Sequence, residues 1–152
     1  MTNLMTQAWE EVLKPMFFRP RRVQVAALCY RKTGTDLDVL MVTSRDTGRW
    51  IIPKGWPIPG KDGAQSALQE AWEEAGVTAG ALQDDPIGTY DYVKRHNDRP
   101  DEPIETYVFK VEVDDLAADY PEAGSRKRQW MKPDEAANLV HEPQLKDLLR
   151  GL

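Results

Sequence analysis

Glu70, Glu73 and Glu74 stand at i, i+3 and i+4 of one segment, and that spacing collects three carboxylates within about 100° of arc if the segment is helical. The segment has every mark of a helix. Ala64, Ala67, Leu68, Ala71, Trp72 and Ala75 recur at helical period and form one apolar stripe, which this reading places opposite the acids. Asp62 is the expected N-cap, and Gly76 is the expected residue that stops the helix over Asp62–Ala75. Like charges at this spacing each cost a few tenths of a kcal/mol, and two of the acids lie in the last turn, where the helix dipole disfavours them. No Lys or Arg occurs between Lys61 and Lys94 to relieve the repulsion. The bland alternative is a crowded but solvated face. The chemical alternative is that a cation completes the triad. One or two carboxylates with no nitrogen or sulfur donors suit Mg²⁺ or Mn²⁺, which keep water molecules that a phosphate can replace.

The elements around this helix fit the second view. It is preceded by a loop carrying Pro53, Gly55, Pro57, Pro59 and Gly60, which no helix survives and which has a fixed shape, since each proline sets its φ. Before the loop come two apolar runs, Val23–Tyr30 and Val39–Ser44, separated by the turn signal Thr33-Gly34-Thr35-Asp36 and read as a hairpin. Trp50–Ile52 is read as a third short strand. Downstream, Ile87–Val93 and Thr106–Val113 are expected as strands around the polar loop Lys94–Pro103. Arg128–Met131 is expected as a short strand, and helices are expected over Pro133–Val140 and Gln144–Leu149. A short helix over Thr6–Leu13 is expected in an N-terminal extension of residues 1–20. The pattern is α+β, a mixed sheet with helices on both faces (an α/β/α sandwich), and the 152 residues are read as one domain.

Composition excludes other classes. Hydrophobic residues are 41% and charged residues 30%, as in an ordinary globular chain, and the net charge of −5 argues against a general nucleic-acid binder. No apolar run approaches the roughly 18 residues that span a bilayer, and the start MTNLMTQAWEEVLKP lacks the basic-then-apolar order of a secretory signal. A cytoplasmic protein without nucleic-acid or membrane partners is expected, of undetermined oligomeric state, with a monomer allowed. Cys29 lies in the apolar run VAALCY and reads as a small buried hydrophobe. With one Cys and two His, a zinc site built on those ligands is excluded.

The segment from Gly55 to Val77 resembles the Nudix box, the pattern G-x5-E-x7-R-E-U-x-E-E-x-G-U, with matching spacing throughout. The resemblance extends from the first strand to RKRQW and the last helices. It implies that Glu70, Glu73 and Glu74 bind the divalent metal, with the Gly55 carbonyl as a further ligand. It also implies that Glu70 and Glu74 carry the catalysis, Glu70 at the place of a general base, and that the reaction is hydrolysis of a diphosphate linkage. Two positions depart from the box: Lys61 stands for Glu and Gln69 for Arg, a pair that usually supports the metal face from behind. Gln129 stands where relatives often carry another acid, so either Glu70 does more or a loop acid such as Glu105 or Glu122 helps.

The bases are clustered despite the acidic total: Arg19, Arg21 and Arg22; Arg45 and Arg49; Lys54; Lys94, Arg95, His96 and Arg99; Arg126, Lys127 and Arg128. Such clusters near an acidic metal face point to a polyanionic small molecule. RPRR before the first strand, TSRDTGRWIIP and GSRKRQWMKPDEA resemble the subgroup that cleaves diphosphoinositol polyphosphates, whereas PKGW is closer to diadenosine polyphosphate hydrolases. By that resemblance Arg22, Ser44, Arg45, Lys54, Lys127 and Arg128 grip the substrate's phosphates. Trp50 and Trp56 flank the loop, where either could stack on an adenine or serve as an apolar lid. The alternative to an enzyme is a Nudix scaffold that binds a nucleotide or phosphoinositol as a regulator, without turnover.

Overall fold

The computed structural model describes residues 21–152, so the expected helix over Thr6–Leu13 and Arg19 lie outside the described residues. The order is β1 (Arg22–Thr33), β2 (Asp36–Thr43), β3 (Trp50–Ile51), β4 (Lys54–Gly55), α1 (Gly63–Ala75), β5 (Val77–Leu82), β6 (Gly88–Lys94), β7 (Glu102–Leu116), β8 (Arg128–Met131), α2 (Pro133–Leu139) and α3 (Pro143–Arg150). All strands form one mixed sheet, with a main path β3-β2-β1-β7-β5. β1 and β7 run parallel at its centre, Arg22 opposite Ile104 and Tyr30 opposite Glu112.

The long central strands are shared by pairs of short ones. The C-terminal half of β1 pairs with β2, while Val25 and Ala26 pair with Gly55 and Lys54 of β4. β7 pairs with β6 along its first half and with β5 along its second. The expected hairpin forms, with Thr33 opposite Asp36. Two strands go beyond the sequence reading. β4 is two residues of the Pro/Gly loop captured by β1, and β5 is a bulged run of small residues, VTAGAL, held by β7. Neither carries the β-branched, alternating pattern that marks a strand, and both exist because a central strand offers unpaired backbone groups.

Alternation along β1 divides the core in two. Val25, Ala27 and Cys29 pack on one face with Ala64, Ala67, Ala71 and Ala75 of α1. Ala26, Leu28 and Tyr30 pack on the other with Ala136, Ala137, Leu145 and Leu149 of α2 and α3. This places helices on both faces of the sheet, as the pattern of elements implied. Cys29 is buried, and burial pushes its thiol up to about 12, which leaves it a packing residue. Among the described residues no helix is long and apolar enough to cross a membrane.

Both ends of α1 are set by the residues the sequence marks. Asp62 Oδ1 accepts from the Gln65 N–H at 2.7 Å, and Gln65 Oε1 accepts from the Asp62 N–H at 3.1 Å, a reciprocal cap. Gly76 takes φ 74°, and its N–H returns to the last turn. α1 has no base in its last turn. Arg128 from β8 supplies one across space, its Nη1 donating to the carbonyls of Ala75 at 2.8 Å and Ala117 at 2.9 Å.

Candidate active site

The narrow stripe that rests on the sheet is alanine: Ala64, Ala67, Ala71 and Ala75. Leu68 and Trp72 lean to one flank of α1, where with Lys61, Gln65, Gln69, Thr78 and Gly80 they line an open pocket against β5. Glu70 and Glu74 lie on the other flank, facing β4. The expectation that all three acids stand opposite the apolar face therefore needs correction. At about 100° per residue Glu74 is only some 65° from the centre of the alanine stripe, and it is buried, 5% exposed. The large side chains Leu68 and Trp72 drew the sequence-based centre of the stripe away from the alanines. Small residues define the close contact because they let the helix approach the sheet.

β4 is what meets this flank. The Lys54 backbone N–H donates to Glu74 Oε2 at 3.0 Å, and Arg126 Nη2 donates to Glu74 Oε1 at 3.0 Å. Glu70 lies directly against Gly55: a Cβ there would stand 2.3 Å from Glu70 Oε1. Glycine is thus required by the approach of the carboxylate rather than by its φ. Glu73 is turned further out and accepts from Gln69 Nε2 at 3.1 Å. Burial, and then the neighbouring carboxylates Glu74, Glu73 and Glu122, push Glu70 up to about 7. Burial likewise pushes Glu74 up to about 7, against the opposing pull of Arg126 and the Lys54 N–H. Crowded, partly desolvated carboxylates of this kind suit a hard divalent cation, and the all-oxygen donor set fits Mg²⁺ or Mn²⁺. Among the described residues no three acids are drawn together closely enough to cage an ion; Glu74 is engaged by Arg126 and Glu73 by Gln69.

The six expected phosphate contacts divide into three sets. Lys54 and Arg45 adjoin the acids: the Lys54 ammonium lies 4.7 Å from the Tyr92 ring centre, with its pKa lowered by burial, and Arg45 reaches Glu122 at 3.1 Å. Arg22, Ser44 and Lys127 lie at its margins. Arg22 stacks its guanidinium 4.0 Å above the Trp56 ring and pairs with Glu102 at 3.2 Å. Ser44 shapes the turn after β2, accepting from the Gly48 N–H at 2.8 Å. The Lys127 N–H bonds Thr43 Oγ1 at 2.8 Å, and its side chain is exposed. Arg128 forms the third set alone. Expected as a phosphate contact, it clasps the end of α1, with Tyr120 stacked beneath it. Of the two helper acids, Glu122 stands by the triad and Glu105 does not: Glu105 lies on β7 opposite Val23 and beside Tyr107. Gln129 is exposed on β8.

Arg126 was missed as an individual residue, though it belongs to a basic cluster the sequence shows. Strand alternation is the signal that finds it. Arg126 and Arg128 share one side of the chain entering β8 and turn toward α1, while Lys127 between them faces solvent. Glu142, buried at 9% with one carboxylate oxygen lacking a hydrogen-bond partner, was also unmarked, and only its place in the fold distinguishes it.

Gly55→Ala tests the contact with Glu70. The methyl group must drive the carboxylate from its place, and displacement of a reacting group by about 1 Å costs roughly a hundredfold in turnover. The expected loss of stability is about 1 kcal/mol or less, since the atoms in the way are the far end of the flexible Glu70 side chain. Turnover and thermal midpoint measured together check both; retained turnover removes Gly55 from the site.

The NUDIX domain model matches residues 20–152. The diphosphoinositol polyphosphate phosphohydrolase 3-alpha of Mus musculus is 32% identical over 135 residues, covering 85% of this chain and 76% of that protein. Diphosphoinositol polyphosphate phosphohydrolase 2 of Homo sapiens is 29% identical over 133 residues, covering 85% and 69%. Among solved structures, the Ap4A hydrolase of C. elegans superposes with a TM-score of 0.63 at 22% identity, covering 86% of this chain and 95% of that one. The NUDIX domain of Shewanella oneidensis NrtR, solved with ADP ribose, gives 0.64 at 16% identity, covering 99% and 96%. Those two likenesses bear on the fold. The chain belongs to the NUDIX family, as a pyrophosphohydrolase.

Proposed function

We propose that this enzyme hydrolyses a diphosphate linkage in a highly phosphorylated small molecule, with Mg²⁺ or Mn²⁺ held by Glu70, Glu73, Glu74 and the Gly55 carbonyl. The observation that carries this reading is the pair Glu70 and Glu74 on the flank of α1 that faces the β4 backbone, with Gly55 against Glu70 and Lys54, Arg45 and Arg126 beside them. A metal held by these groups would supply charge neutralisation for the diphosphate and acidify the attacking water. Glu70, held against Gly55, takes the proton from the attacking water, and Glu74 is fixed in orientation by the Lys54 N–H. Arg22, Ser44, Arg45, Lys54 and Lys127 are the proposed phosphate contacts; Arg128 is omitted because its Nη1 is engaged by two carbonyls.

Between the two candidate substrates, a diphosphoinositol polyphosphate is favoured over a dinucleoside polyphosphate. Trp56 already carries Arg22 on its ring, and Lys94 lies 5.6 Å from the ring centre. The tryptophan thus presents cations to a ligand, where adenine stacking needs a bare face. The chain is proposed to act in the cytoplasm, on small molecules and not on nucleic acid or membranes. The test is phosphate release, with Mg²⁺ or Mn²⁺, from diphosphoinositols, diadenosine polyphosphates, ADP-ribose and nucleoside triphosphates. Fastest release from the first supports the proposal. Metal-dependent binding without release from any of them establishes the regulator instead.

Lys61 and Gln69, the two departures from the box, share the β5 flank of α1, away from Glu74. Lys61→Glu with Gln69→Arg introduces two charges that compensate each other and is expected to leave the thermal midpoint intact and turnover unchanged or raised. Gln69→Arg alone is expected to help less, because Lys61 remains as a like charge. Abolished turnover in the folded double variant would assign Lys61 a substrate contact.

A further inference from the structure

The network around Glu74 contains one residue that neither the box nor the phosphate contacts account for. The side chain of Arg126 is 7% exposed, as is the side chain of its partner Glu74. Its Nη2 lies 3.0 Å from Glu74 Oε1 and 3.3 Å from Glu122 Oε1, and its Nη1 donates to the Thr43 carbonyl at 3.0 Å. Its Nε is buried with no hydrogen-bond partner. A guanidinium taken this far out of water, with one donor unsatisfied, is costly unless the charge around it demands it. The demand comes from Glu70, Glu73, Glu74 and Glu122, which α1 itself does nothing to neutralise. From Glu122 the alternation of charge continues to Arg45, 59% exposed.

We infer that Arg126 is a resident counter-ion of the acidic flank and competes with the divalent cation for Glu74. This rests on the reading of Glu70 and Glu74 as metal ligands. A cation arriving there is a like charge beside the guanidinium, and the two repel. Arg126 must then yield Glu74, while Nη1 keeps its anchor on the Thr43 carbonyl, next to Ser44 and Arg45. Arg126 thereby keeps the metal-free enzyme folded and sets how much metal is needed to open the site.

The experiment is titration of the metal-free protein with Mn²⁺, followed by the Mn²⁺ signal and by the thermal midpoint, for the parent, Arg126→Gln and Arg45→Gln. The expected result is a Mn²⁺ dissociation constant at least tenfold tighter in Arg126→Gln, with a lower midpoint before metal is added. In Arg45→Gln, which removes an equal charge at the exposed end of the network, the constant stays within threefold of the parent. An unchanged or weaker constant in Arg126→Gln overturns the inference, and so does equal tightening in both variants, which would reduce it to net charge. If Arg126→Gln does not fold, Arg126→Lys is titrated instead, because one ammonium cannot span Glu74 and Glu122; tightening below threefold then overturns it. Absence of Mn²⁺ binding in parent and variants alike overturns the metal reading itself, whereas binding by the parent with no response to Arg126 overturns only this inference.

Discussion

Glu70→Gln and Glu74→Gln are each expected to lower turnover by about a hundredfold or more, since a general base and a metal-activated nucleophile each commonly supply 10²–10⁴-fold. The structure separates their effects on stability. Glu70 is surrounded mainly by other carboxylates, so Gln there removes repulsion and is expected to hold or raise the thermal midpoint. Glu74 is the buried partner of Arg126 and of the Lys54 N–H, so Gln there leaves Arg126 to Glu122 and the Thr43 carbonyl. A loss of about 1–3 kcal/mol is expected, the range for a buried polar group deprived of its partner. Turnover at saturating Mn²⁺, with midpoints measured in the absence of metal, tests both. Full turnover in both folded variants would remove the triad from the active site. A stable Glu74→Gln would show that its ion pair contributes nothing to folding.

The second large effect is on pH. Glu70 and Glu74 are both raised in the folded state to about 7, from an ordinary value of 4.5. Between these values the folded protein binds more protons than the unfolded chain, so the contribution of these groups to stability falls as pH rises. That contribution is fully present below pH about 4.5 and is lost by the time pH passes about 7. The metal-free midpoint of the parent is expected to carry this downward slope, and the double variant Glu70→Gln with Glu74→Gln should lose it. Metal binding runs the opposite way, because the cation needs the ionised carboxylates. Mn²⁺ affinity is therefore expected to increase from pH 5.5 to pH 8 and level off above about 7. A parent midpoint that climbs across this window, with the same climb in the double variant, would show that neither acid is raised.

Much of the molecule is legible from residue types alone because the determinants are local. Asp62 and Gln65 close the start of α1 through a backbone three residues away, Gly76 ends it through its own φ, and the alternation of β1 assigns Val25, Ala27 and Cys29 to one face and Ala26, Leu28 and Tyr30 to the other. The spacing of Gly55 and the three glutamates identifies the family and the kind of chemistry for the same reason: it is a pattern within one loop and one helix.

What only the tertiary structure decided involves partners distant along the chain. Lys54 and Gly55 become a strand because β1 has backbone groups to pair, and that capture brings a glycine against Glu70. Glu74 is buried because an alanine face lets α1 settle close to the sheet, which the bulk of Leu68 and Trp72 disguises in the sequence. Among three consecutive bases, Arg126 goes to the acids, Lys127 to solvent and Arg128 to the end of α1. Charge and spacing are the same for all three in the sequence. Their roles differ because β8 docks on β2 in one register, and the register alone determines which guanidinium meets a carboxylate 52 residues away.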